Sequence, residues 1–412
     1  MESRPKIESP SEQDGQLAGM LAQFDSPEAW RMVGVAFVAM FTVYGIAYSF
    51  GAFFKPMAAD FGADRSRTSA VFSLTVCAWS MLGSLSGHLS DRLGPRVIVA
   101  SGALVMGVGL VATAFIERLW MGYLTYSLAV GVGVAAAYVP TVAVVGGWFF
   151  RRRNAALGIA VSGIGCGTLL VAPLAARLIE SFGWRDTYIV FGVASTAILL
   201  VCAAALKRPP VHVTPSALKV RDAIRTPAFG LLYGSQLMCS MALFVPFVYL
   251  PAFAHDHGAS GVASAALVGV IGGASVLGRL GLGALADRAG LIRLYQGAFL
   301  LMATSYALWL GGTSYPTLVI FALAMGTGYG GYVALSPAVL TDLYGPQRLG
   351  TVMGILYTSG AVGAMLGPPL AGAIIDYSHS YRWAIAYALA AAVASFVTLL
   401  PLERFASPQA PT

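Results

Sequence analysis

The sequence predicts an all-α membrane protein, with twelve transmembrane helices in two pseudo-symmetric six-helix bundles. Apolar runs long enough to cross roughly 30 Å of hydrocarbon recur twelve times along the chain. Of its 412 residues, 57% are hydrophobic and 10% charged, where a soluble domain carries about a quarter charged residues. The two halves also repeat each other in one register, Gly87 matching Gly283 and Pro173 matching Pro369. Such a composition cannot cover a surface in water, so lipid is the natural solvent. Forty-eight glycines agree, because small residues let membrane helices approach closely.

The spans of the first half run over 32–54, 69–90, 96–116, 119–147, 154–180 and 184–206. Those of the second run over 227–254, 260–286, 292–312, 315–341, 349–375 and 381–402. Each boundary has a polar break. The first two spans part at KPMAADFGADRSRT, the next at DRLGPR, then at ER, FFRRR and SFGWRD. In the second half the breaks are HDHGA, DRAG, TS, DLYGPQR and DYSHS. The longest polar connection, 207–226, holds Pro209, Pro210, Pro215 and five Lys or Arg, and reads as the linker between bundles 31–206 and 227–402. Residues 1–30 are polar, with no apolar stretch or cleavage site for a signal peptide. They and 403–412 read as cytoplasmic tails.

The net charge is +7. With the N-terminus in the cytoplasm, seventeen of the twenty-five Lys and Arg fall in cytoplasmic segments, six in external ones, and Arg177 and Arg279 within helices. That bias places both termini in the cytoplasm of a cell (inner or plasma) membrane. It also makes Arg151, Arg152 and Arg153 a topology signal rather than a nucleic-acid patch. Cys77, Cys166, Cys202 and Cys239 all lie in apolar segments without metal-ligand spacing. No nucleophile–base constellation points to an enzyme, and no cofactor motif is present. GIGCG at 163–167 lies inside a span, so it reads as helix packing rather than a phosphate loop.

The repeat is densest where GHLSDRLG at 87–94 meets GALADRAG at 283–290. Asp91, Arg92, Asp287 and Arg288 form charged turns that either latch the halves in one state or simply cap helices and anchor the loop. GHLSDRLGPR resembles the signature Gly-x-x-x-Asp-Arg-x-Gly-x-Arg of the major facilitator superfamily. That resemblance implies alternating access around a site near the midplane, where two parallel repeats meet.

Arg279 is the most informative residue. It lies eight residues before Asp287, about 12 Å inside the helix end. A lone cation there costs at least ~2.5–3.5 kcal/mol. Its counterpart in the first half is Gly83, so the fold does not require it. An anionic substrate explains it, since guanidinium pairs with a carboxylate through two hydrogen bonds. The alternative is an internal salt bridge. However, Asp60, Asp64, Glu117, Glu180, Asp186, Asp256 and Asp376 all map near external helix ends. Tyr48, Tyr138, Tyr329, Tyr332 and Tyr357 lie deep in their spans and are candidates to line the cavity. Each offers a hydroxyl and an apolar ring. Tyrosines in membrane helices are also packing residues or interface anchors.

WFFRRRNAALGIAVSGIGCG at 148–167, AYSFGAFFKP at 47–56 and GRLGLGALADRAG at 278–290 resemble monocarboxylate transporters and the oxalate/formate exchangers related to them. The resemblance implies that Arg279 binds the substrate carboxylate and that Tyr138 belongs to the site. Three departures matter. Gly360 stands where the exchanger has a second cation, Tyr48 where animal lactate carriers have a lysine, and Ser275 where they have an aspartate. One cation favours a monocarboxylate over a dicarboxylate. The resemblance implies proton symport, with Asp256 as the candidate proton site. His255 and His257 flank it, but their spacing suits a surface role better than a metal site. The expected function is therefore proton-coupled symport of short monocarboxylates of the lactate and pyruvate class. An organic-anion exchanger or a drug exporter of the same fold are the alternatives. The oligomeric state is not legible.

Overall fold

The computed structural model describes residues 24–209, 224–344 and 349–405. Most of the linker and the outer parts of both tails therefore lie outside the described residues. So do the side chains of Asp287 and Arg288.

Ten described helical stretches are long and apolar enough to span a membrane. The stretch Ala155–Ala205 is 51 residues long and turns at Gly183, whose φ of 82° is a left-handed conformation that costs glycine least. It therefore counts twice. The 21-residue helix Leu291–Gly311, less apolar because it carries Arg293 and Gln296, completes twelve. In chain order these are α1 (Pro27–Phe61), α2 (Arg65–Leu93), α3 (Pro95–Thr113) and α4 (Leu119–Trp148). The two arms on either side of Gly183 are α5 (153–182) and α6 (184–205). The second half holds α7 (Pro227–Asp256), α8 (Gly261–Ala289), α9 (Leu291–Gly311), α10 (Tyr315–Tyr344), α11 (Leu349–Ser378) and α12 (Tyr381–Leu399). Side-chain oxygens start several of them. Ser26, Asp64, Thr226, Ser260 and Ser380 each accept a first-turn N–H, which would otherwise be unsatisfied.

The repeat in sequence returns as a repeat in contacts. A side chain on Gly167 of α5 would overlap the Phe41 carbonyl of α1, and one on Gly363 of α11 would overlap the Leu237 carbonyl of α7. Both members of the second pair lie 196 positions beyond those of the first. Between the halves, α2 packs on α11 and α5 on α8, two interfaces that the same duplication exchanges. GIGCG supplies both kinds of contact. Gly163 and Gly167 let α1 approach, while a side chain on Gly165 would come within 2.9 Å of Ser275 Oγ on α8.

α1 and α7 are each interrupted near the middle, at Ser49 and Phe244. Beyond the breaks their second segments pack on each other. Gly51 sits there directly against the Phe247 carbonyl and Pro251. Ion pairs Lys55–Asp256 and Arg65–Asp376 join the halves at this end, and Tyr249 on α7 donates to the Arg65 carbonyl of α2 at 3.2 Å. Toward the other end, where the twelve crossings bring both described chain ends, the contact is looser. A Cβ on Gly158 would stand 4.0 Å from Leu280, and one on Gly354 3.5 Å from Ser84 Oγ. Met81, Leu277 and Leu280 are exposed there. The halves are thus bolted at one end and parted at the end that holds the termini.

Candidate functional site

Arg279 projects from α8 into the interface with α5 and is 5% exposed. One turn before it, Ser275 donates its hydroxyl proton to the Gly272 carbonyl at 2.7 Å. Gly278, packed against the α10 backbone at Thr327, lets α8 lie close to α10. This brings the guanidinium to 5.7 Å above the Tyr329 ring, within cation–π range. Nη1 donates to the Val161 carbonyl of α5 at 2.6 Å, across the two halves. Nε and Nη2 are buried without a hydrogen-bond partner among the described residues. No described carboxylate pairs with Arg279. The ion pairs of the described residues engage other cations.

A buried polar group left unpaired costs ~1–3 kcal/mol, and more when charged. Nε and Nη2 share one edge of the planar guanidinium. That edge takes two carboxylate oxygens in parallel.

Four of the five candidate tyrosines gather around this cation. Tyr48 and Tyr329 meet hydroxyl to hydroxyl at 3.1 Å across the halves. Tyr138 of α4 and Tyr357 of α11 interact across the same gap. Tyr332 lies deeper in the second bundle. It donates to Gln236 Oε1 and packs against Tyr295 and Phe299, so its hydroxyl is engaged away from the guanidinium. Tyr44, not singled out from the sequence, completes the group, with its ring 5.8 Å from that of Tyr138 and 5.6 Å from that of Tyr48. It lies one helical turn before Tyr48, a same-face spacing that could have revealed it. At Gly360 there is no cation. A side chain there would instead approach Gln236 Nε2, at 3.1 Å.

Asp256 is not at this site. It pairs with Lys55 of α1 and accepts a hydrogen bond from Tyr381 at 2.7 Å, at the bolted end. His255 Nδ1 lies 3.1 Å from the same lysine. His257 turns its Nδ1 to the Phe253 carbonyl at 2.7 Å. Asp91 and Arg92 are exposed at the end of α2.

Comparison with known proteins agrees with this architecture. The model of the Major Facilitator Superfamily matches residues 36–310 and 232–412. Monocarboxylate transporter 3 of Rattus norvegicus is 31% identical, over 87% of this chain and 76% of its own. Monocarboxylate transporter 13 of Rattus norvegicus is 29% identical, over 93% and 91%. Among solved structures, a bacterial homologue of the human lysosomal transporter Spinster, inward-facing and unoccupied, superposes with a TM-score of 0.74 at 14% identity. It covers 94% of this chain and all of its own. The occupied inward-facing form of that homologue gives 0.71 at 15% identity, over 98% of this chain.

Proposed function

We propose a function from one premise: the chain belongs to the Major Facilitator Superfamily and, within it, to the monocarboxylate transporter family. It is a multi-pass membrane transporter, not an enzyme. Our reading is that it carries short monocarboxylates of the lactate and pyruvate class together with a proton, by rocking its halves about Arg279. The observation that carries this reading is the pair of buried, partnerless nitrogens on the Arg279 guanidinium. They support a bidentate carboxylate as the missing partner, held by Nε and Nη2 while the Val161 carbonyl fixes Nη1. Tyr48, Tyr138, Tyr329 and Tyr357 line the cavity from both halves, and Tyr332 backs them. One deep cation balances one carboxylate, which favours a monocarboxylate.

A monocarboxylate entering with one proton moves no net charge. Asp256 is our candidate to take that proton. Neutralised, it frees Lys55 and loosens the bolt between the halves. Asp91 and Arg92, with Asp287 and Arg288, are proposed as the latch at the parted end. The bias of Lys and Arg supports a cell (inner or plasma) membrane with both termini in the cytoplasm.

The test is uptake of labelled L-lactate into proteoliposomes, with and without an inward proton gradient, in competition with pyruvate, acetate and oxalate. Gradient-driven uptake that Arg279→Ala abolishes without loss of folded protein is the expected result. Gradient-independent counterflow points to an exchanger, and strong oxalate competition undoes the one-cation argument.

A further inference from the structure

The loop between α4 and α5, at the parted end, is built in a way that transport around Arg279 does not use. Its backbone is pinned. Asp25, held at a left-handed φ of 54°, donates its own N–H to the Trp148 carbonyl at 3.2 Å. Its carboxylate accepts the N–H groups of Arg151 and Arg152, each at 3.1 Å. A non-glycine residue in that backbone region is uncommon and persists only where its surroundings hold it. Trp30 packs edge-on against Phe149, with centroids 5.1 Å apart.

This rigid corner then presents what a soluble surface avoids. Phe150 is 79% exposed, beside the exposed side chains of Arg151, Arg152 and Arg153. Arg153 lies back along the last turns of α4, its Nη2 3.1 Å from where a Cβ on Gly146 would sit. Arg151 and Arg152 form no ion pair with a described residue. The nearby Asp25 carboxylate is committed to backbone N–H groups, so three cations face one engaged anion.

The depth fits a membrane surface. Trp120, exposed at the opposite end of α4, stands twenty-eight residues before Trp148, where the helix ends, about 42 Å of helix, and Phe150 follows two residues on. This matches the ~40–45 Å of a bilayer with its headgroups. Phe115, Phe182, Tyr377 and Trp383 are exposed near the Trp120 end, where an aromatic belt forms. Phe150 therefore stands at headgroup level in the other leaflet.

We propose that residues 150–153 form a docking site for an anionic phospholipid. Its phosphate would sit between Arg151 and Arg152, and its upper acyl region against the Phe150 ring. The test uses the full-length chain in non-ionic detergent, titrated with phosphatidylglycerol or phosphatidylcholine and read as retained lipid by native mass spectrometry. Wild type should retain phosphatidylglycerol preferentially. The double variant Arg151→Gln/Arg152→Gln should lose about thirty-fold in affinity, equivalent to ~1 kcal/mol for each cation near an anionic surface. Arg151→Lys/Arg152→Lys should keep most of it. If the glutamine variant inserts poorly, Phe150→Ser, which leaves every charge in place, should still lose retention several-fold. Equal retention of the two lipids by wild type overturns the proposal. So does undiminished phosphatidylglycerol affinity in either loss variant, or inorganic phosphate displacing the lipid at equal concentration.

Discussion

Gly51→Ala tests how the halves close. Gly51 follows the break in α1 and faces the Phe247 carbonyl of α7, with Pro251 Cγ 3.0 Å from where a Cβ would sit. The Phe247 contact is closer still and is made by backbone, which cannot rotate aside. One methyl group must therefore push the second segments of α1 and α7 apart. Overpacking of this kind typically costs 1–3 kcal/mol. If the opposite conformation releases this contact, the whole cost falls on the conformation seen here, and the equilibrium between the two moves about 5- to 150-fold away from it. Spin labels on the two halves at the bolted end, read by pulsed electron resonance, should report longer distances in the variant. The uptake rate should fall because the return step is hindered. Gly230→Ala, where a Cβ meets nothing within 4 Å, is the control. An unchanged distance distribution in Gly51→Ala refutes the reasoning, because the α1–α7 contact would then not be what holds this end shut.

Arg279→Lys keeps a donor for the Val161 carbonyl but loses the two-nitrogen edge. The charge remains, so the loss is one hydrogen bond to a charged group, ~1.5–3 kcal/mol; lactate uptake should fall at least about tenfold, and uptake within threefold of wild type would refute bidentate binding. Asp256→Asn should barely change stability, since half-exposed ion pairs contribute ~0–1 kcal/mol. It should flatten the pH dependence of uptake, and proton coupling that persists unchanged removes Asp256 from the mechanism. At Asp25, desolvation is the largest single influence and raises the carboxyl pKa. The N–H groups of Arg151, Arg152 and Phe150 and the charge of Arg152 outweigh it, leaving the pKa below the usual carboxylate range. A depressed carboxyl stabilises the fold above its unfolded value, about 3.9, and the contribution fades as pH falls through the lower folded value. The tie from Asp25 to the 151–152 backbone should therefore survive at pH 5 and release only below about pH 4. Emission from Trp30 and Trp148 follows it, and a transition between pH 5 and 6 would count against the assignment.

Much of the molecule was legible in one dimension because hydropathy reports depth. A polar break marks each crossing, so the expected spans match the observed helices to within a few residues: 32–54 lies inside Pro27–Phe61, 260–286 starts one residue before Gly261–Ala289, and 96–116 and 381–402 each run three residues past Pro95–Thr113 and Tyr381–Leu399. The duplication was visible as matched glycines, and the structure returns it in Gly167 and Gly363, which admit Phe41 and Leu237. The internal breaks at Ser49 and Phe244 were not anticipated, since both lie in unbroken apolar runs.

The sequence by itself determined the order of the spans and how far each residue stands from its span's ends: an arginine well inside one span with every mapped carboxylate near a helix end, and tyrosines well inside theirs. Tertiary structure alone decided which way those residues face. In a membrane helix the lipid side and the packed side are both apolar, so the sequence carries little of the amphipathic signal that orients a helix in water. Rotation about each axis is set instead by glycine contacts between neighbours. Packing therefore turned Tyr332 into the second bundle, brought Tyr44 against Tyr138, paired Asp256 with Lys55, and gave Arg279 a backbone carbonyl from the opposite half.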